Sequence, residues 1–195
     1  MPRERGALPA WARRISPLHR ILLGLERRRY RAEGNTWVIA NSRLNRDGIL
    51  AHYPLPADRI RVVYNGVDPE RFTPQNTARF RADTRRILAL QDQDVALLFV
   101  GENFSRKGLW LILEAVAQAG PVGTRLSVVV VGGRRSARWD RQVHALGLDA
   151  RVRFVGPVTE PERYYAAAEV FVLPTYFDPF ANATLEAYRV MRETS

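Results

Sequence analysis

Val95-Ala-Leu-Leu-Phe-Val100-Gly-Glu-Asn-Phe-Ser-Arg-Lys-Gly108-Leu-Trp-Leu-Ile-Leu-Glu-Ala-Val-Ala-Gln-Ala119 is the stretch that decides the fold. A continuous apolar run too short for a buried helix leads through a glycine-bounded polar loop into a segment with helical periodicity. The same order recurs downstream. Leu126–Val131, residues 152–155 and residues 170–173 are apolar runs, and residues 137–146 and 161–168 are further helix candidates. Strands that are apolar on both faces and alternate with helices predict a parallel sheet covered by helices on both sides, a doubly wound α/β domain.

Upstream the pattern is sparser. Residues 36–40 read as a short strand, Asn41-Ser42 as the cap of a helix reaching His52, and residues 59–64 as a second strand. Asn65-Gly66-Val67-Asp68 reads as a sharp turn, with glycine for positive φ and aspartate as a following cap. Residues 69–86 read as a connection and a helix, so a boundary is expected after residue 74, dividing the chain into 1–74 and 75–195. Residues 17–31 predict a helix, because Leu18, Ile21, Leu22 and Leu25 share one face and Ser16 precedes Pro17 as a cap. Its other face carries arginines. That face is either solvated or turned toward a membrane surface or an acceptor.

The formal charge of +10 favours an anionic partner, which composition alone does not identify. Of 30 basic residues only Lys107 is lysine, so it marks a place where a compact ammonium is wanted or a chance survival in an arginine-rich chain. Cysteine is absent, and His19, His52 and His144 lack metal-ligand spacing. No metal or cofactor is expected. No apolar run is long enough to span a bilayer and the N-terminal residues lack a signal-peptide core, so the expected location is cytoplasmic.

Ligands of doubly wound sheets bind at the carboxyl ends of the strands. Three such ends stand out. The loop from Gly101 to Gly108 delivers Arg106 and Lys107 to the start of a helix, where N–H groups and a cation suit a phosphate or diphosphate. Gly132-Gly133-Arg134-Arg135-Ser136 allows close backbone approach but matches neither G-x-G-x-x-G nor G-x-x-x-x-G-K-[ST]. Leu173-Pro-Thr-Tyr-Phe-Asp178-Pro-Phe-Ala-Asn182-Ala-Thr-Leu-Glu186 places one carboxylate in a loop and a second on a helix that Asn182 can cap. Both carboxylates can accept hydrogen bonds from sugar hydroxyls, and free N–H groups near Phe180, Ala181 and Asn182 suit phosphate oxygens. The plainer alternative is a turn residue and a solvated helix residue.

Four segments together resemble the retaining GT-B glycosyltransferases of family 4, and within them the lipopolysaccharide core heptose glucosyltransferases. They are Val62-Val-Tyr-Asn-Gly-Val-Asp68 with Phe72 and Pro74; Phe99-Val-Gly101 with Arg106-Lys-Gly108; Val152-Arg-Phe-Val-Gly156; and Asp178-Pro-Phe-Ala-Asn182 with Leu185-Glu-Ala187. The resemblance implies a Rossmann-like C-terminal donor-binding domain, incomplete here, preceded by a remnant of an acceptor domain. It implies that Lys107, assisted by Arg106, neutralises a donor diphosphate, that Asp178 contacts donor sugar hydroxyls, and that Glu186 binds the ribose. Gly101, Phe180, Ala181 and Asn182 would border the donor, and Val155 the base.

The implied reaction moves a hexose, glucose from UDP-glucose, to a lipopolysaccharide or lipid-linked glycan with retention, without a metal. Contact with the inner face of the plasma membrane is compatible with this. Asp178 stands where the family usually has glutamate, and Asn103 where many members have arginine. Because family members are about twice as long, a remnant that at most binds nucleotide sugar is the alternative. A basic phosphate- or nucleic-acid-binding module is the other, and no specific nucleic-acid motif is present.

Overall fold

The computed structural model describes residues 17–191, and the chain divides into two compact units between Tyr64 and Asn65. The first unit comprises helix α1 (Pro17–Arg29), strand β1 (Val38–Ala40), helix α2 (Arg43–His52), a single 3-10 turn (Ala57–Arg59) and strand β2 (Ile60–Val62). β1 and β2 pair in parallel, with Val38 opposite Ile60. Ser42 caps α2 as expected, its Oγ accepting from the Asn45 N–H at 3.1 Å. A small core of Ala40, Leu55 and Ile60 holds the unit together. The apolar stripe of α1 stays at the surface, with Leu18, Ile21, Leu22 and Leu25 all exposed. The Ser16 cap lies outside the described residues.

The second unit comprises α3 (Asn76–Ile87), β3 (Val95–Val100), α4 (Leu109–Gln118), a helical turn (Gly120–Gly123), β4 (Leu126–Val131), α5 (Ala137–Ala145), β5 (Val152–Gly156), α6 (Glu162–Ala167), β6 (Val170–Phe171) and α7 (Asn182–Met191). Its four strands are all parallel in the order β5-β4-β3-β6. Side chains alternate across such a sheet, and here each alternation finds its own core. Ala96, Leu98, Val129 and Val131 meet Tyr165, Ala187 and Val190 on one face. Phe99, Val128 and Val130 meet Leu109, Leu113, Trp139 and Val143 on the other. Burial on both faces is why these strands read as unbroken apolar runs. The sheet is thus the expected α/β arrangement, with helices on both sides.

Two boundaries differ from the sequence reading. Residues 65–74 belong with the second unit rather than the first, because Phe72 is buried edge-on against Tyr165 with ring centroids 6.0 Å apart and Arg71 pairs with Glu162 at 2.8 Å. The last strand is paired over Val170–Phe171 only, not to Leu173. Beyond it the Thr175 N–H turns back onto the Leu173 carbonyl at 2.8 Å, and the intervening Pro174 has no N–H to extend the ladder.

Such a short edge strand needs other support, and Arg85 and Glu169 supply it. Arg85, buried at 8% exposure, donates to both carboxylate oxygens of Glu169 and to the carbonyls of Ala167, Gln91 and Asp94. Glu169 in turn accepts the Ala96 N–H at 2.6 Å. Arg85→Ala would leave a carboxylate and three carbonyls short of donors, although Arg81 still reaches Glu169. A loss of about 2 kcal/mol is expected, short of the cost of breaking a fully buried pair because Glu169 is itself exposed and keeps Arg81. Urea unfolding of the variant measures it, and a loss under about 1 kcal/mol would show that the pair does not hold the edge.

Candidate functional site

Parallel strands bring their carboxyl ends to one edge, and the loops after β3, β4 and β6 meet there. The β3 loop is a tight turn rather than a bare helix start. Asn103 organises it: its Oδ1 accepts the Arg106 N–H at 3.0 Å and its carbonyl accepts the Lys107 N–H at 2.9 Å. The first α4 amides are taken as well, Leu109 by Phe104 and Leu111 by Gly108, each at 3.0 Å. Of the N–H groups expected to be open at this helix start, those of Leu109 and Leu111 are thus engaged. What the loop presents is cationic side chains.

Lys107 Nζ pairs with Asp178 Oδ2, and the two side chains keep only 14% and 11% of their surface exposed. Gly101 leaves room for the lysine stem, since a Cβ there would lie 3.3 Å from Lys107 Cγ. Arg106 is exposed and donates from Nη1 to the Phe177 carbonyl at 3.1 Å, while its own carbonyl accepts from Tyr176 N–H at 3.2 Å and Thr175 Oγ1 at 3.3 Å. The β3 and β6 loops are thus tied by side chains and backbone together. Gly108 permits it: its φ is +79°, and a Cβ would fall 2.2 Å from the Pro174 carbonyl oxygen. Beside this seam lies a cavity of about 320 Å³ lined by Leu173, Thr175, Asp178, Phe180, Thr184 and Leu185, among others.

Asp178 also accepts the Phe180 N–H at 3.3 Å through Oδ1. That amide is therefore taken by its own loop, contrary to the expectation of a free donor. Ala181 lines the cavity and its carbonyl accepts the Thr184 N–H at 3.0 Å. Asn182 is the first residue of α7 rather than its cap, and its Oδ1 accepts from Asn65 Nδ2 at 2.7 Å. Gly66 does not take the positive φ expected of it, but Asp68 does cap the following turn, accepting the N–H groups of Glu70 and Arg71. Val155 packs against the core on the α7 side of the sheet. The glycines at 132 and 133 approach the Gly101 and Glu102 carbonyls, with would-be Cβ atoms at 2.7 and 2.6 Å, so their space is filled by the neighbouring loop.

Glu186 does not line that cavity. Its Oε2 accepts a hydrogen bond from the phenol of Tyr165 at 2.8 Å. Burial, and secondarily the Glu186 charge, push the Tyr165 pKa well above that of a free tyrosine, so the phenol remains a donor. Sequence reasoning passed over Tyr165, whose only sequence signal is a polar-tipped aromatic on the buried side of a short helix.

Residues 94–192 match the family described as "Glycosyl transferases group 1", and residues 6–71 match "Glycosyltransferase Family 4". The chain belongs to the group 1 glycosyltransferases. It is 37% identical to a probable transglycosylase of Burkholderia thailandensis over 93% of this chain and 46% of that protein. It is 32% identical to a D-inositol 3-phosphate glycosyltransferase of Salinispora arenicola over 77% of this chain and 37% of that one. The chain thus spans less than half the length of these relatives. The crystal structure of WaaG, a glycosyltransferase involved in lipopolysaccharide biosynthesis, superimposes with a TM-score of 0.84 at 22% identity, covering 91% of this chain and 48% of that one. Anabaena HepE in complex with UDP-glucose superimposes with a TM-score of 0.68 at 23% identity, covering 89% and 48%. The α/β fold thus matches that of GT-B glycosyltransferases such as WaaG, as the sequence resemblance implied.

The approach of the two loops at Gly108 is testable against Gly147. Both have positive φ, but a Cβ at Gly147 meets nothing within 4 Å. Gly147→Ala should cost about 1 kcal/mol for the left-handed backbone alone, and Gly108→Ala at least about 2 kcal/mol more, since backbone has to move. Denaturant unfolding of both variants compares them. Equal losses would mean that the loop seam yields without cost.

Proposed function

We propose that this chain carries the donor-binding half of an enzyme that transfers glucose from UDP-glucose to a lipopolysaccharide or other lipid-linked saccharide, with retention at the anomeric carbon. The observation that carries the reading is the Lys107–Asp178 pair at the carboxyl edge of the sheet, beside a cavity large enough for part of a ligand. A lysine whose partner is a side chain can exchange that partner for a phosphate. As the bond between the anomeric carbon and the donor phosphate oxygen breaks, its electron pair stays on that oxygen. The reading gives the charge to Lys107, assisted by Arg106, with no metal or cofactor required.

Asp178, released from the lysine, would accept hydrogen bonds from donor sugar hydroxyls, with Gly101 and residues 180–182 bordering the sugar and diphosphate. Glu186 would bind the ribose, and Val155 would flank the base. UDP as the nucleotide is supported by HepE, solved with UDP and with UDP-glucose, and a lipopolysaccharide acceptor by the likeness to WaaG. The +10 charge is compatible with work at an anionic surface. No helix among the described residues is long and apolar enough to cross a membrane. We place the protein in the cytoplasm, in peripheral contact with the inner face of the plasma membrane.

Calorimetric titration of the chain with UDP-glucose, UDP and GDP tests the reading. Uridine nucleotides should bind in preference to GDP, and Lys107→Ala and Glu186→Ala should each weaken UDP by about tenfold or more, the scale of one charge-assisted hydrogen bond. Binding of none of the three would overturn it. Asp178→Asn separates the sugar role from the phosphate role: it should keep UDP binding while losing the preference for UDP-glucose over UDP. An unchanged preference would remove Asp178 from the sugar site.

A further inference from the structure

Glu186 sits on α7, and α6 packs alongside with Glu162 and Tyr165 one turn apart. Glu162 is engaged by Arg71, through Nε at 2.9 Å and Nη2 at 2.8 Å. That leaves Tyr165 to meet Glu186. The tyrosine ring is 1% exposed and fixed from two directions, by Phe72 at 6.0 Å and Phe171 at 5.9 Å between centroids. A ring so packed has no rotamer freedom left to lose, and its hydroxyl arrives at Glu186 Oε2 at 2.8 Å already oriented. Among the described residues no hydrogen bond to Glu186 Oε1 is made.

We propose that Tyr165 is a positioning residue for the nucleotide site: it holds one carboxylate oxygen of Glu186 so that the other is aimed at the ribose hydroxyls. The inference rests on the reading of Glu186 given above. A partly exposed glutamate on the first turns of a helix otherwise samples several χ angles, and ordering it on binding opposes affinity. Tying Oε2 to a buried phenol removes that opposition in advance. It also makes Oε1 the oxygen left for a cis-diol. Because burial keeps the phenol protonated, it serves as donor throughout the physiological pH range. Phe72, Phe171 and Glu186 lie far apart in sequence, and their meeting at Tyr165 joins the hydrophobic core of the sheet to the candidate site.

The test uses the full chain with two probes, UDP and its 2′,3′-dideoxy analogue. Tyr165→Phe keeps the ring and its packing, and circular dichroism and the unfolding midpoint report whether the fold is retained. The variant should lose about three- to tenfold in UDP affinity, the range of a single hydrogen bond, with the dideoxy analogue unaffected. Combining it with Glu186→Gln should add little to the loss from Glu186→Gln alone, as expected of two residues acting as a unit. Equal weakening of both probes would assign Tyr165 to packing alone and overturn the proposal, as would unchanged UDP binding. If Glu186→Gln abolishes the preference for UDP over the dideoxy analogue while Tyr165→Phe retains it, this inference alone falls. If the unmodified chain shows no such preference, the ribose role of Glu186 falls, and the inference with it.

Discussion

The buried guanidinium of Arg85 against Glu169 is the interaction on which the placement of the candidate site depends. β6 is the edge of the sheet and pairs with β3 over two residues, with one further bond from the Val172 N–H to the Leu98 carbonyl as the chain leaves it. Glu169, just before that strand, accepts the Ala96 N–H and returns its own N–H to the Ala96 carbonyl, extending the attachment by one residue on side-chain and backbone bonds together. Arg85 neutralises the carboxylate while its remaining donors cap three carbonyls, of Ala167 and of the 91–94 turn. A buried ion pair is seldom a net gain over packed hydrocarbon. Here its value is positional, because it sets where residues 172–181 begin.

From that origin the loop reaches Asp178 by contacts with the β3 loop. Gly108 lets the two backbones touch at Pro174, Arg106 closes on Phe177, and Lys107 meets Asp178. The site is therefore electrostatically self-satisfied. An anion entering it gains the ammonium only by releasing the aspartate, so phosphate affinity is set by a difference between two partners. On the proposed reading the released carboxylate would then need donors of its own, which sugar hydroxyls would supply, and sharing one ion pair would couple phosphate and sugar recognition.

The sheet was legible because both its faces are buried: the runs at 95–100 and 126–131 are strands end to end, and the helices between them start and stop within a residue or two of the expected positions. The loops were less so. Asp178, Lys107 and Arg106 could be singled out because charged residues at the end of a buried strand are unusual. What each would touch depends on a partner about seventy positions away, beyond any local pattern. Asn182 went astray for that reason, drawn to the distant Asn65, whereas the Phe180 amide is held locally by Asp178. Gly132 and Gly133 were correctly taken as allowing close approach, but the approaching group is the adjacent loop rather than a ligand. Arg85 and Glu169 gave no signal, and Tyr165 only that of a polar-tipped aromatic on a buried helix face, since a buried polar contact leaves no periodicity.

The basic excess has an explanation that composition could not give. Arg59, Arg71, Arg85, Arg106, Arg125, Arg151 and Arg153 each donate to backbone carbonyls in loops or at element ends. A planar fork with several donors suits that work, because one guanidinium can hold two carbonyls, or a carbonyl and a carboxylate, at fixed angles. Part of the arginine content is therefore accounted for by the fold, while bonds to neutral carbonyls leave the net charge of +10 as it is. Lys107 stands apart from these arginines: among the described residues its Nζ pairs with a carboxylate alone. A carbonyl cannot leave without unravelling a loop, whereas a carboxylate side chain can swing aside. The cation best placed to change partners is thus the one whose compact head is least suited to stapling backbone.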